Sequence, residues 1–313
     1  MSIAIQPYES SSMFGAIVVG VDGHAGGRDA LALAKRLGDL GGGELVAVHV
    51  YPCAAFPMSG RHEHVDARLR NEAHALIRCE IAEVGAAGAR SRVTADNSPA
   101  RGLHRVAEQL AADLIVVGCA HRGAVGRLVA GDTACSVLQG SLAPVIVTPR
   151  LELPSLRERP VIGLGYDGSG ASRTALAWAG RLADAVRGTV RVLTVAQSPG
   201  LVVCAGSYGI DWDALAPERR AHAVQLAADA VDELGDRATG RAIDGTAHER
   251  LRAFSEEVDV LVLGSRGYGP VRRTLLGSTS DRLVHGAACP VVLIPRAADV
   301  ASESEGTAVE QRA

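Results

Sequence analysis

The sequence predicts an α/β fold built from two tandem, doubly wound domains, each a five-stranded parallel sheet of Rossmann-like type with strand order 3-2-1-4-5. Three observations carry this. The chain repeats itself: residues 114–149 align without a gap on 260–295 at an offset of 146, and 16–34 align on 161–179 at an offset of 145. Within each copy, short Val/Ile/Leu runs bounded by Gly or Asp alternate with amphipathic stretches. Those short runs are apolar almost throughout, as in strands covered on both faces. A unit of this length is too long for a solenoid repeat and has the size of a domain.

Taken in order, the first copy gives strands at 16–21, 45–50, 114–118 and 145–148, and a weaker one at 90–94. Helical periodicity fills 26–40, 64–84 and 100–111 between them. The second copy gives strands at 161–165, 190–195, 260–264 and 291–294, a weaker one at 238–243, and helices at 172–186, 217–234, 247–257 and 278–287. Residues 150–159 (RLELPSLRER) are charged and contain proline, and serve as the linker. The domains therefore run over 14–150 and 160–296, and the small, polar residues 297–313 read as a disordered tail.

Composition narrows the function. Hydrophobic residues make up 47% and charged residues 21% of 313, enough for two cores and unlike a disordered chain, a collagen or a coiled coil. A net charge of −3 gives no basic field for nucleic acid or an anionic membrane. Aromatics at 3% do not supply base-stacking platforms. Lys35 is the only lysine, which removes lysine chemistry from the second copy. No apolar run reaches the ~18–20 residues of a membrane span, and residues 1–15 lack a basic segment followed by an apolar one, so neither membrane nor signal peptide is expected. Six scattered cysteines without a CxxC pair fit a reducing, cytoplasmic setting. Residues 61–64 (RHEH) with His74 do not close a tetrahedral set, and fit a loop leading into a helix better than a metal site.

One motif carries chemistry. The fourth strand of the second copy ends at Gly264 and continues through Arg266, Gly267 and Gly269 to Gly277, Ser278 and Thr279. Glycines permit close backbone approach. The N–H groups at the start of the following helix suit an anion, Ser278 and Thr279 add hydroxyl donors, and Arg266, Arg272 and Arg273 add positive charge. This combination is built for phosphate. In the expected topology the loop after the first strand, Asp167-Gly168-Ser169, lies across the switch point, where its carboxylate can accept from a base amino group or a ribose hydroxyl. Val195, ending the second strand, presents backbone to a base edge.

The Asp-Gly-Ser turn, the Gly-x2-Gly-x9-Gly-Ser frame and the closing Cys289-Pro290-Val291-Val292 resemble the universal stress protein family in its tandem, ATP-binding form. The resemblance covers both copies. It implies a cytoplasmic regulatory protein of stress or dormancy response that binds ATP, alone or with Mg, at Asp167, Gly168, Ser169, Val195, Gly264, Arg266, Gly267, Gly269, Gly277, Ser278 and Thr279. The first copy departs from the frame: after Gly118 it has His121 for the second glycine, and Gly131 is followed by Asp132 instead of serine. A carboxylate there opposes phosphate, although it is also an ordinary helix N-terminal residue. Asp22, Val50, Gly118 and Gly131 persist, so a base-binding end can survive without a phosphate end, and ATP binding through a rearranged loop with His121 and Arg122 near the phosphates stays open as the alternative.

Hydrolysis requires a base and charge neutralisation, and neither a GxxxxGK[ST] loop nor a clear base is present. ATP turnover is expected to be slow at most. An adenine-nucleotide hydrolase or transferase on the same fold, and a ligand-free interaction module, remain open alternatives. Single-copy members of the resembled family pair through their last strands, here 143–149 and 288–295; with two copies in one chain these apolar edges are expected to pair antiparallel, as a dimer within the monomer. Pairing of whole chains and an unknown protein partner are also expected.

Overall fold

The computed structural model describes residues 12–53, 61–119, 129–149, 156–197, 215–265 and 277–295. The first domain runs β1 (Ala16–Gly20), α1 (Ala25–Gly41), β2 (Glu44–Tyr51), α2 (Arg61–Val84), β3 (Arg90–Ala95), α3 (Pro99–Gln109), β4 (Leu114–Gly118), α4 (Asp132–Gly140) and β5 (Val145–Thr148). The second repeats it: β6 (Val161–Gly165), α5 (Gly170–Val186), β7 (Thr189–Gln197), α6 (Ala216–Leu234), β8 (Ala238–Gly245), α7 (Ala247–Phe254), β9 (Val260–Gly264), α8 (Ser278–Leu283) and β10 (Val291–Ile294).

The strand runs are helix-poor in sequence and apolar on both faces, and both faces are covered. β1, β4, β6 and β9 are buried except at their final glycine. Within each domain all pairs are parallel, in the order 3-2-1-4-5. The two sheets join through β5 and β10, which pair antiparallel with Ile146 opposite Val292, giving one ten-stranded sheet. The outer strands β3 and β8 carry Arg90, Arg92, Arg241 and Asp244, so the apolar edges meet in the middle and the charged edges face outward.

Each side of the sheet holds one continuous core spanning both domains. Leu31, Ala34 and Leu37 of α1 share theirs with Ala175, Leu182 and Val186 of α5. Leu103 and Val106 of α3 share the other with Leu251 and Phe254 of α7 and with Leu283 of α8. Helix starts follow the residues before them. Ser98 caps α3, with Pro99 at its first position, and Ser169 caps α5.

Three helices differ from expectation, the first being α7, which ends at Phe254 and not at 257. The helix expected from residue 64 begins at Arg61, and α8 stops at Leu283, short of 287, where the chain turns through Gly286 into the buried Ala287. No helix among the described residues is long and apolar enough to cross a membrane.

Candidate functional site

Each domain has a cavity beyond the carboxyl ends of its strands, where strand order reverses. In the second domain the walls come from the ends of β6, β7 and β9 and from the start of α8. They bring together Asp167, Ser169, Val195, Gly264, Gly277, Ser278 and Thr279, residues separated by up to 112 positions in sequence. Gly168 is adjacent but is not in the wall. Arg266, Gly267 and Gly269, with Arg272 and Arg273, lie outside the described residues.

The turn after β6 has a structural explanation of its own. Asp167 Oδ1 accepts from the Ser169 N–H at 3.1 Å, and Ser169 Oγ accepts from the Ser172 N–H at 3.2 Å. Gly168 has φ +74°, and a Cβ there would lie 2.8 Å from a Leu226 methyl. The Asp-Gly-Ser tripeptide is thus a turn and a helix cap, and it leaves the carboxylate in the cavity wall.

Gly264 also has a packing role. A Cβ at this position would sit 2.4 Å from the backbone carbonyl of Ala171, because the start of α5 rides over the end of β9. Gly118 stands in the same relation to Gly26, at 2.1 Å from its carbonyl oxygen. The first glycine of the frame is therefore required by the approach of a helix to a strand end, in both domains alike. This accounts for its presence in the first copy, where the second glycine and the serine of the frame are replaced.

Gly277 precedes α8 with extended backbone, and Ser278 and Thr279 open the helix into the cavity. Their N–H groups and hydroxyls are donors at an end that contains no carboxylate among the described lining residues. The enclosed space is about 90 Å³, enough for a base or a phosphate group, so a nucleotide would extend beyond it. Gln197, Ser172 and Ser280 also line it. Gln197 was legible in principle: it lies two residues beyond Val195, on the same face of β7.

The first-domain cavity is larger, about 660 Å³, within the range of small-molecule sites. Asp22, Val50, Gly118 and Gly131 all line it, as do Asp132, Thr133, His24 and His49. The histidines were missed in the sequence, where nothing distinguishes His49 from a strand residue. His49 Nδ1–H donates to the Val21 carbonyl at 2.8 Å, and His24 Nδ1–H donates to the Asp22 carbonyl at 3.0 Å. His24 N–H donates to Asp22 Oδ1 at 3.1 Å, the counterpart of the Ser169–Asp167 contact. His121 and Arg122 lie outside the described residues.

Three of the described cysteines sit where burial opposes the thiolate. Cys119 and Cys289 are buried, and burial pushes the Cys289 thiol far above the ordinary range. Burial, with the Asp281 and Asp132 carboxylates nearby, also raises the Cys135 thiol. Among the described residues no His/Cys/Asp/Glu group could hold a metal ion; the side chains at 61–64 lie outside them.

Comparison with known proteins agrees with this fold. The chain is 26% identical over 301 residues to a universal stress protein of Mycolicibacterium smegmatis, covering 91% of this chain and 98% of the relative. A universal stress protein of Mycobacterium tuberculosis is 28% identical over 209 residues, 64% of this chain and 70% of the relative. Among solved structures, a universal stress protein from Archaeoglobus fulgidus superposes with a TM-score of 0.65 at 21% identity, covering 90% of this chain and 98% of that one. The model of the universal stress protein family matches residues 13–149 and again 159–295. Two matched units covering most of the chain, each folded as a 3-2-1-4-5 sheet, show that this protein belongs to the universal stress protein family, as a tandem two-domain member.

Proposed function

We propose that this chain is a nucleotide-dependent regulatory protein whose second domain binds ATP. The observation that carries the reading is the convergence in one cavity of the Gly277-Ser278-Thr279 helix start with Asp167 and Val195. The helix start offers N–H groups and hydroxyls to phosphate oxygens. Asp167 accepts from hydroxyl or amino groups of the ribose or base, and the apolar Val195 and Leu193 cover a flat ring. ATP would supply the charge that these donors read; this chain's residues bind and orient it.

ATP turnover is slow at most in this reading. Asp167 is the one carboxylate among the described lining residues, and it already accepts from Ser169; no lysine, arginine or histidine is among them. Family membership supports a regulatory role in a stress response and a cytoplasmic setting, with whole chains pairing as dimers.

Calorimetric titration of the full chain with ATP tests the binding, using Ser278→Asp to place in the second domain the residue that the first domain carries. ATP is expected to bind the wild type and to lose at least tenfold in affinity in the variant, with an unchanged melting temperature. An unaltered affinity in Ser278→Asp, or no ATP binding by the wild type, would reject the site.

A further inference from the structure

We propose that the cleft between the two domains, at the amino ends of β1, β4 and β5, binds a small zwitterion with an aromatic body, of the class of an aromatic α-amino acid. The inference does not rest on the nucleotide reading: among the described residues this cleft shares no wall with either strand-end cavity.

The cleft is a departure from the duplication. Asp113 and Asp259 are equivalent, each accepting from an N–H at the start of the neighbouring first strand, Gly15 at 2.6 Å and Val161 at 2.7 Å. From the Ser98 cap of α3 to Asp113 the chain advances 15 positions; from Thr246, which precedes α7, to Asp259 it advances 13. The longer connection holds Ala111 in the left-handed region at φ +46°, which a side chain disfavours, and puts Glu108 and Ala111 in the cleft wall. In the second domain Ser255 Oγ accepts from the Ala288 N–H at 2.9 Å and ties the end of α7 to the segment leading into β10. The first domain has Ala107 and Leu142 at these positions, so there is no hydroxyl to make the tie, and Leu142 stands 70% exposed at the cleft.

Wall chemistry sets the class. Trp178 of α5, where the first copy has Leu33, joins Phe14, Ile115 and Pro144 of the first domain in the wall and suits a flat ring. Arg181, on the same helix, donates to the Met13 carbonyl at 3.2 Å and keeps further N–H groups for a carboxylate. Glu108 and Asp113 bring carboxylates from the first domain; Asp113 uses Oδ2 on the Gly15 and Ala16 N–H groups, which leaves Oδ1 for an ammonium group. The two signs of charge come from different domains, so a zwitterion with an apolar body engages both. The cleft holds about 530 Å³, in the range of small-molecule sites, and domain boundaries are a common place for them.

Calorimetry on the full chain tests this, with L-phenylalanine, phenethylamine and hydrocinnamate as probes, since the last two each lack one of the charges. The wild type is expected to bind one phenylalanine per chain, with or without saturating ATP, and to bind each single-charge probe about tenfold more weakly. Arg181→Met, at an exposed position, is expected to weaken phenylalanine and hydrocinnamate about tenfold and to leave phenethylamine unchanged. Glu108→Gln, also exposed, is expected to weaken phenylalanine and phenethylamine and to leave hydrocinnamate unchanged. Absence of saturable phenylalanine binding at millimolar concentration, displacement of phenylalanine by ATP, a single-charge probe that binds as tightly as phenylalanine, or unaltered affinities in both variants would each overturn the proposal. Should Arg181→Met fail to fold, Glu108→Gln and the wild-type probe series still decide. Failure of ATP to bind would reject the second-domain reading, while the phenylalanine titration would still report on the cleft.

Discussion

The Ala130 N–H donates to the Val284 carbonyl at 2.9 Å, across the boundary between the domains. Ala130 lies in the wall of the first cavity, immediately before Gly131; Val284 caps the end of α8, whose start lines the second. A single short helix therefore separates the two cavities. A ligand that orders Gly277–Thr279 is expected to slow hydrogen exchange at the Ala130 amide. Linkage requires the reciprocal effect, in which a ligand in the first cavity changes ATP affinity by the same factor. Ala130→Pro removes the N–H, and the two affinities are expected to become independent. Unchanged Ala130 exchange on saturation with ATP would show that this contact does not connect the sites.

The glycines that end β4 and β9 are expected to be architectural. Gly118→Ala and Gly264→Ala push a methyl into the backbone of Gly26 and Ala171, which cannot swing aside. Each is expected to destabilise by about 3 kcal/mol, in the range of overpacked sites, with or without ligand. Gly170→Ala, where a Cβ meets nothing within 4 Å, serves as the control and is expected to leave stability the same or slightly higher. Denaturant unfolding measures all three; a wild-type midpoint for Gly264→Ala would remove the packing argument.

Ile146 and Val292 face each other where the sheets join, and both are fully buried. Ile146→Asp puts an unpaired carboxylate against an apolar strand and is expected to cost several kcal/mol. Residues 1–150 and 160–313 expressed separately each expose an apolar edge strand, and are expected to self-associate or aggregate alone and to form a soluble complex when mixed. Light scattering decides this, and two stable monomeric halves with no mutual affinity would contradict it.

Asp96 is 6% exposed and accepts from Arg101 at 2.7 Å, from Arg105 at 2.8 Å and from the Ser98 N–H at 2.9 Å. The Arg101 guanidinium, followed by the Ser98 N–H, holds its carboxyl well below the ordinary carboxylate range. A depressed folded value means that the unfolded chain binds the proton more readily. The contribution is therefore fully present above the ordinary carboxylate pKa and is lost as pH falls from there toward the folded value. Asp96→Asn is expected to cost on the order of 2 kcal/mol at neutral pH and to flatten the acid limb of the stability profile. An unchanged acid limb would assign it to other carboxylates.

The duplication and the strand runs are legible in local signals: a matched offset marks two copies, and continuous apolar runs mark strands covered on both faces. The pairing of the last strands came with the resemblance to the universal stress protein family, and the matched Pro-Val-Ile-Val and Pro-Val-Val-Leu segments show where two like edges need cover. The sequence also placed Asp167, Val195, Gly277 and Ser278 at one switch point, because topology alone brings strand ends together there. Tertiary structure decided what each residue does on arrival. Whether Gly264 serves a ligand or a helix depends on how closely Ala171 approaches, and no spacing in the chain encodes that distance. Nothing in the one-dimensional pattern separates His49 from its strand neighbours; the cavity at the end of β2 makes it a wall residue. The Ala130–Val284 contact joins residues 154 positions apart and exists only because β5 meets β10 antiparallel, which sets α4 beside α8. Periodicity is a property of one element, whereas a distance between two elements depends on every side chain packed between them.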